Sequence, residues 1–245
     1  AQRAALSPAD LPLPPATART LSSLGDLQVG RMVTREGGLV AAMRLRQEQP
    51  PRDPSSHASA IASSNSPSSS TAGNQAGAHA GFALKIARKA TVARRKHVAH
   101  ALGEVAALSR CGRHPMVVAL AGAHADAAHL YSLYELTVVH GDLHALLESR
   151  RRLEEHEARF YVACTLLALE HLSSPDVGVA HRNLRPESLL LDSRGYPKLS
   201  SFEFARVVAP GERAYTVCGS VRYMAPEQML RAGHDARVDM WALGV

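Results

Sequence analysis

The stretch His181-Arg182-Asn183-Leu184-Arg185-Pro186-Glu187-Ser188-Leu189-Leu190-Leu191-Asp192 decides how this chain is interpreted. Taken alone, a short motif of this kind is weak evidence and could be an ordinary turn. Three further segments follow it in order: Ser201-Phe202-Glu203, then residues 220–227 (SVRYMAPE), then residues 238–245 (VDMWALGV). Their joint occurrence, in this order and at this spacing, argues against an ordinary turn.

Together these segments resemble the catalytic core of eukaryotic protein kinases. The first is similar to the catalytic loop, whose pattern is His-Arg-Asp followed by Lys and Asn, and the second stands where the family has Asp-Phe-Gly. The last two resemble the end of the activation segment and the start of the large helix after it. Residues 192–199 and 216–219 are most similar to the cyclic-nucleotide-dependent Ser/Thr kinases. The resemblance implies an α+β, two-lobed fold, with a small antiparallel sheet and a helix in the N-lobe and a mainly helical C-lobe.

The positions that carry the chemistry of the family are substituted. The catalytic base position is Asn183, the lysine position is Arg185, and the two metal positions are Ser188 and Ser201. An amide has essentially no basicity, and neutral hydroxyls are poor replacements for the hard, preferably anionic oxygens that Mg²⁺ requires. Glu203, at the glycine position of the motif, could supply a carboxylate only from a shifted backbone.

These substitutions predict a pseudokinase, with weak or no phosphoryl transfer, that acts as a scaffold or allosteric partner. ATP binding should be weak, and Mg²⁺ should be held poorly. Two alternatives stay open: a weakly active ATP-dependent Ser/Thr kinase with a rebuilt metal site, and a nonfunctional kinase-derived fragment. The expected partners are proteins or peptide substrates, and the oligomeric state is left open.

Composition excludes several other classes of protein. The 245 residues are 46% hydrophobic, enough for one domain or one domain in two lobes. The net charge of +6 is spread along the chain without an aromatic-interleaved basic stripe, so nucleic acid is not an expected partner. No apolar run approaches the length of a membrane span, so no membrane association is expected. Three cysteines in unrelated contexts fit a reducing compartment, and we expect a cytoplasmic protein.

Composition also divides the chain. Residues 1–22 contain four prolines and are expected to form a flexible N-terminal segment. Residues 23–136 are assigned to the N-lobe. Within them, the Ser-rich residues 48–80 are too poor in large apolar groups to order themselves and should form a disordered insertion. Residues 137–245 are assigned to the C-lobe.

The resemblance also assigns a glycine-rich loop to the first two strands, within residues 27–45. Gly38 and Val40 match its last glycine and its valine, but its first two glycine positions are Val33 and Arg35. Because glycines let backbone amides approach a phosphate, this cradle should be degraded. Taken alone, the glycines at 37 and 38 are more typical of a hairpin turn than of a phosphate-binding loop.

The next strand resembles the Val-Ala-Ile-Lys segment of the family and places Ala83 and Lys85 at the nucleotide. A helix should follow, because residues 98, 101, 102, 105 and 108 are apolar at helical spacing. The resemblance then puts Glu104 where the glutamate that pairs with this lysine belongs, so we expect a Lys85–Glu104 ion pair.

Further elements complete the expected site. Strands are predicted at residues 116–120 and 130–136, and a helix at 154–172 whose apolar residues cover most of its circumference, as in a buried helix. The resemblance assigns further nucleotide positions to the hinge, the ribose and the pocket floor, and a bulky gatekeeper at the back of the pocket. These are Glu135, Thr137, Asp142 and Leu190, with Tyr134 as the gatekeeper.

The remaining matches concern regulation and support. Thr216 matches the activation-loop phosphothreonine, whose phosphate Arg182 would hold, although an inert exposed threonine is an equally open alternative. Asp239 matches the residue that braces the catalytic loop. Glu227 matches one whose arginine partner lies in a later helix. We therefore expect a C-lobe truncated in the helix after the activation segment, and a chain prone to aggregate or partly unfold alone.

Overall fold

A computed structural model of the chain describes residues 27–35, 38–45, 81–94, 97–135 and 141–245, with side chains from Phe82 onward in those ranges. The predicted flexible segment 1–22, the predicted insertion 48–80 and the hinge position Thr137 lie outside the described residues. In the described part of the chain, no helix is long and apolar enough to cross a membrane.

A five-stranded antiparallel sheet forms the N-terminal part of the molecule, with the strand order β1-β2-β3-β5-β4. Leu84 and Leu133 pair directly across neighbouring strands, so their side chains lie on the same face of the sheet, and both are buried. The strands are β1 (Leu27–Arg35), β2 (Gly38–Leu45), β3 (Gly81–Arg88), β4 (Ala119–Ala125) and β5 (His129–Glu135). The predicted small antiparallel sheet is confirmed.

Two helices, α1 (Lys89–Arg94) and α2 (Val98–Cys111), follow β3. The buried residues of α2 recur at helical spacing: Glu104, Ala107, Leu108 and Cys111. The prediction that Val98 belongs to the buried face is wrong, because that side chain is 49% exposed. A carboxylate takes the place of an apolar residue in the buried stripe, which is possible because Glu104 is fully hydrogen-bonded in the site described below.

The C-terminal part is mainly helical. Its helices are α3 (Leu143–Arg150), α4 (Glu155–Ser173), α5 (Pro226–Met229) and α6 (Arg237–Gly244). Two short antiparallel pairs carry the loops of the site between them: β6 (Val179–Ala180) with β9 (Arg206–Val207), and β7 (Leu189–Leu191) with β8 (Pro197–Leu199). The predicted α+β class is confirmed.

One core connects the two parts. Leu108 of α2, Leu172 of α4, Leu199 of β8 and Phe202 are all almost fully buried in the same cluster. Burying a side chain of this size stabilises the fold by roughly 1.5–3 kcal/mol. The loops that carry the candidate site are therefore attached to the best packed region of the molecule.

The strand predicted at residues 116–120 is misplaced, since β4 begins only at Ala119. The residues before it bond to β8 instead: Leu199 N donates to Met116 O at 2.8 Å, and Val118 N donates to Leu199 O at 3.0 Å. Residues 116–118 therefore connect the sheet to the C-terminal part of the molecule. The spacing of apolar residues within this short segment could not predict that contact.

The apolar residues of helix α4 predicted burial around most of its circumference, and this prediction is wrong. One face packs into the core through Cys164, Ala168, Leu169 and Leu172. The opposite side carries large apolar side chains that are 38–50% exposed, at Phe160, Val162, Leu166 and Leu167. The ring of Tyr196 packs against Phe160, but these side chains stay partly exposed, so only half of the apolar pattern contributes to the core.

Candidate functional site

One carboxylate holds the backbone of the loop at residues 181–188 by two hydrogen bonds, which we call the Asp239 clamp. Asp239 of α6 accepts the backbone N–H of His181 at 2.8 Å and that of Arg182 at 2.7 Å. The His181 ring also contacts Ser200 O through Nε2 at 2.8 Å. Burial raises the pKa of Asp239 to about 6, and the two N–H donors oppose this rise. The clamp holds the loop backbone, including Arg182 at φ 64°, in one conformation.

The amide at the catalytic base position faces the activation segment. Asn183 Oδ1 accepts hydrogen bonds from Ser220 N at 3.0 Å and from Ser220 Oγ at 3.2 Å. The side chain is buried and lacks basicity, so its resolved role is to tie two loops together. It could orient a hydroxyl but could not accept its proton.

The hydroxyl at the first metal position is already used inside its own turn. Ser188 Oγ donates to Arg185 O at 2.7 Å and accepts from Arg185 N at 3.1 Å, and the residue is fully buried. The Arg185 guanidinium lies 3.7 Å from the carboxylate of Glu187. The Ser188 hydroxyl is thus held by its own turn, and it is a neutral ligand where Mg²⁺ prefers a carboxylate.

The second metal position lies next to the first. Ser201 has left-handed backbone geometry, with φ 65°, and its Oγ is 3.5 Å from Ser200 Oγ, which in turn donates to Ser188 O at 2.9 Å. Two neutral hydroxyls do not fit Mg²⁺, which binds through carboxylates in proteins. Across the described ranges, no group of three or more His, Cys, Asp or Glu residues is arranged to hold a metal.

A three-residue network joins β3, α2 and β5. Lys85 Nζ donates to both carboxylate oxygens of Glu104, at 2.7 and 3.0 Å, and Tyr134 Oη donates to Glu104 Oε1 at 2.7 Å. Burial and the Glu104 charge keep the pKa of the Tyr134 phenol well above its usual value. Sequence reasoning used only the bulk of Tyr134. The rule that a buried tyrosine hydroxyl needs a partner could have suggested the hydrogen bond.

Replacing Tyr134 by phenylalanine is expected to lower the free energy of unfolding by about 1.5–3 kcal/mol, because the removed donor serves a buried, charged acceptor. Urea unfolding measures this. Tyr131→Phe is the matched control, since it removes an exposed hydroxyl that donates to Asp126 at 2.7 Å. Equal losses in the two variants would show that the Tyr134 bond carries no special role.

Glu203 brings a second carboxylate to the same region. It lines a cavity of about 510 Å³, bounded by α1, α2, β3, β4 and β5, together with Lys85 and Glu104. Burial raises the pKa of the Glu203 carboxyl, its own backbone N–H and Lys85 lower it, and Glu104 raises it further. The cavity lining does not include Ala83, Glu135 or Leu190, so it lies behind Lys85 and not on the predicted adenine side.

The predicted nucleotide positions on the sheet are neighbours. Ala83 is buried and pairs with Tyr134, and Val40 pairs with Lys85 across β2 and β3. Gly38 begins β2 opposite Arg35. Their backbones therefore place the predicted phosphate and adenine positions on neighbouring strands of the sheet.

The hinge and ribose positions have structural contacts of their own. Glu135 forms an ion pair with Arg113. Asp142 caps α3 by accepting Ala145 N at 2.9 Å, and its backbone forms an isolated bridge with Leu190. The ribose contact of Asp142 stays a prediction.

The regulatory pair is not in contact. Thr216 is exposed, whereas Arg182 is buried and donates through Nε to Phe204 O at 2.8 Å. Arg182 Nη1 is buried and has no hydrogen-bond partner among the described residues. Glu227 is half-buried and forms no ion pair with any described residue.

Sequence reasoning missed Gly219 as a packing residue. Its φ is +100°, and a Cβ there would lie 2.4 Å from Arg182 O. Only glycine allows this approach of the activation segment to the loop.

The sequence is similar to those of known proteins. The family model described as protein kinase domain matches residues 68–245. The chain is 36% identical over 165 residues to human cGMP-dependent protein kinase 2 and 36% identical over 164 residues to a cAMP-dependent protein kinase catalytic subunit-like protein of Caenorhabditis elegans. A cAMP-dependent protein kinase catalytic subunit of Arthrobotrys oligospora is 37% identical over 164 residues.

Each of these matches covers 67% of this chain, but only 21%, 40% and 30% of the respective relatives. The chain thus spans a fifth to two fifths of the length of these proteins. The residues that the family model matches, 68–245, contain the Lys85–Glu104 pair, the Asp239 clamp and the substituted loop. The chain therefore belongs to the protein kinase family and is similar to its cyclic-nucleotide-dependent branch.

Proposed function

We propose that this protein kinase domain is a pseudokinase, with weak or no phosphoryl transfer, and that it acts as a scaffold or allosteric partner of other proteins. The observation that carries the proposal is that the side chains at two catalytic positions are hydrogen-bonded to other parts of the fold. Asn183 is bonded to Ser220, and Ser188 is bonded to its own turn. Without a general base and a metal site, the rate of phosphoryl transfer loses its main sources of acceleration.

The preserved frame supports a binding role. The Lys85–Glu104 ion pair and the Asp239 clamp hold the same loops that a catalytic domain of this family would present. A protein or peptide partner could therefore recognise a kinase-like surface on a domain that transfers little phosphate. We place this role in the cytoplasm, in keeping with three free, buried cysteines among the described residues.

Nucleotide binding tests the proposal directly. Lys85 can still attract a phosphate, but the hydroxyls of Ser188 and Ser201 should recruit no metal, so ATP affinity should be weak and nearly equal in Mg²⁺ and in EDTA. Titration calorimetry in both buffers measures this. Lys85→Met is the control that should abolish the residual binding. A strong gain of affinity in Mg²⁺ would contradict the proposal.

A weakly active Ser/Thr kinase is the second candidate. The intact contact of Lys85 with both oxygens of Glu104 favours it, because this pair positions phosphates in active members of the family. Transfer of labelled phosphate from ATP to a basic peptide would distinguish it. Turnover that survives Lys85→Met would come from a contaminating kinase.

A further inference from the structure

Two imidazole rings stack where the sheet meets the helical part of the molecule. His114, in the loop between α2 and β4, lies against His171 in the last turn of α4. The ring centroids are 4.5 Å apart, the ring planes differ by 11°, and both residues are half-buried. Neither ring belongs to the nucleotide, catalytic or regulatory positions, so the proposed function gives this pair no role.

The hydrogen bonds of the two rings fix which nitrogen carries a proton. His114 Nδ1 accepts the backbone N–H of Met116 at 3.2 Å, so this nitrogen carries no proton and the ring is neutral. His171 Nε2 lies 2.7 Å from Cys111 O, and this nitrogen is the donor, because a carbonyl oxygen can only accept. The stack thus joins the end of α2, the segment before β4 and the end of α4 while the His114 ring is neutral.

The segment that carries His114 also holds the junction with β8. Val117 N donates to His114 O at 3.1 Å, and Leu199 N of β8 donates to Met116 O at 2.8 Å. Met116 therefore uses its N–H for the imidazole and its carbonyl for β8. A change at the His114 ring reaches the contact between the two parts through a single residue.

The charged groups around the stack do not favour a positive charge on it. From β8, Lys198 Nζ donates to Pro115 O at 2.7 Å, so an ammonium lies beside the same loop. From α2, burial raises the pKa of the Cys111 thiol to about 12, so this side chain supplies no negative charge. The charged residues that neighbour the pair in sequence are the basic Arg110 and Arg113 and the acidic Glu170, which is exposed to solvent.

Protonation would disturb this arrangement at two points. A proton on His114 Nδ1 would set an N–H against the N–H of Met116, so a hydrogen bond would become a contact between two donors. The charge would also lie on a partly desolvated, stacked ring. Burial, the neighbouring His171 ring and Lys198 all hold the pKa of His114 below its usual value of 6.5. The stabilisation is therefore full above pH 6.5 and is lost as pH falls below it.

We propose that the His114–His171 stack is a pH-sensitive joint, which holds the sheet against the helical part near neutral pH and loosens on mild acidification. A protein partner that contacts both parts would then bind less tightly at acidic pH. The inference does not depend on the proposed function, because the joint acts in the same way whether or not the domain transfers phosphate.

Amide hydrogen exchange of the 245-residue chain at about pH 7.5 and about pH 5.5 tests the joint. After correction for the intrinsic pH dependence of exchange, the Met116 N–H should exchange about tenfold faster at the lower pH, relative to Leu84. Leu84 lies in the sheet and reports any general loss of stability. Proton NMR of the rings should show that His114 titrates at lower pH than His156, which is exposed.

The variant His114→Asn with His171→Gln keeps the hydrogen bonds without the charge. The asparagine oxygen can replace Nδ1 as the acceptor for Met116, and the glutamine N–H can replace Nε2 as the donor to Cys111 O. This double variant should lose the tenfold response. His156→Gln is the matched control, since it removes an exposed histidine from the same helix and should keep the response.

A full response in the double variant would overturn the inference, because it would assign the pH dependence to other groups. Equal acceleration at Met116 and Leu84 in the unaltered chain would also overturn it. If the double variant fails to fold, the ring titration of the unaltered chain decides, and a His114 ring that titrates at or above the value of His156 would contradict the joint.

Discussion

Asp239→Asn is expected to lower the free energy of unfolding by about 1–3 kcal/mol, because it removes one acceptor of the buried clamp. The asparagine keeps the size of the side chain but offers one acceptor where the carboxylate offers two. One of the N–H groups of His181 and Arg182 is then left buried without an acceptor. Urea unfolding measures the loss.

Two readouts separate the clamp from a general loss of stability. Amide hydrogen exchange at His181 and Arg182 should accelerate more than exchange at Leu84 in the sheet, since only the loop loses its anchor. Asp176→Ala is the control, because that aspartate is exposed and should change stability by less than about 0.5 kcal/mol. A clamp variant as stable as this control would contradict the argument.

The same variant should change the pH dependence of stability. Burial raises the pKa of Asp239 from 3.8 to about 6, so its contribution is full below 3.8 and is lost as pH rises to 6. Burial lowers the pKa of His181 from 6.5 to about 4, so its contribution is lost as pH falls from 6.5 to 4. The trends oppose each other, and Asp239→Asn should unmask a loss of stability on acidification.

Restoring the family residues at four positions is expected to raise phosphoryl transfer by about 10²–10⁴ or more. The variant combines Asn183→Asp, Ser188→Asn and Ser201→Asp with Glu203→Gly. It supplies a base, two metal ligands and a site free of the extra carboxylate, on a loop that Asp239 already holds. Steady-state transfer to a peptide in Mg²⁺ measures the gain.

Single restorations should do little, because these groups act as a unit. The triple variant that keeps Asn183 is the sharpest control, since it contains the metal ligands without the base. Ser188→Asn enlarges a fully buried side chain, so thermal unfolding of each variant must accompany the kinetics. Turnover by the unaltered chain equal to that of the fourfold variant would show that the pseudokinase proposal is wrong.

The local sequence pattern was sufficient to predict a helix or strand that depends mainly on residues close together in the chain. Helix α2 and strand β3 were predicted from periodicity and motif, and the family resemblance implied the contact of Lys85 with Glu104. The same periodicity failed for α4, because an apolar residue at the right spacing does not show whether another element covers it.

The chemical nature of the site could be known from the amino acids alone. No fold turns the Asn183 amide into a base or the hydroxyls of Ser188 and Ser201 into carboxylates, because these properties belong to the side chains. How those groups are used was decided only by tertiary structure. Asn183 meets Ser220 across 37 residues, Tyr134 meets Glu104 across 30, and Gly219 fits against Arg182 O. Such contacts depend on how distant segments pack, and that packing is set by the whole core and not by any local stretch of chain.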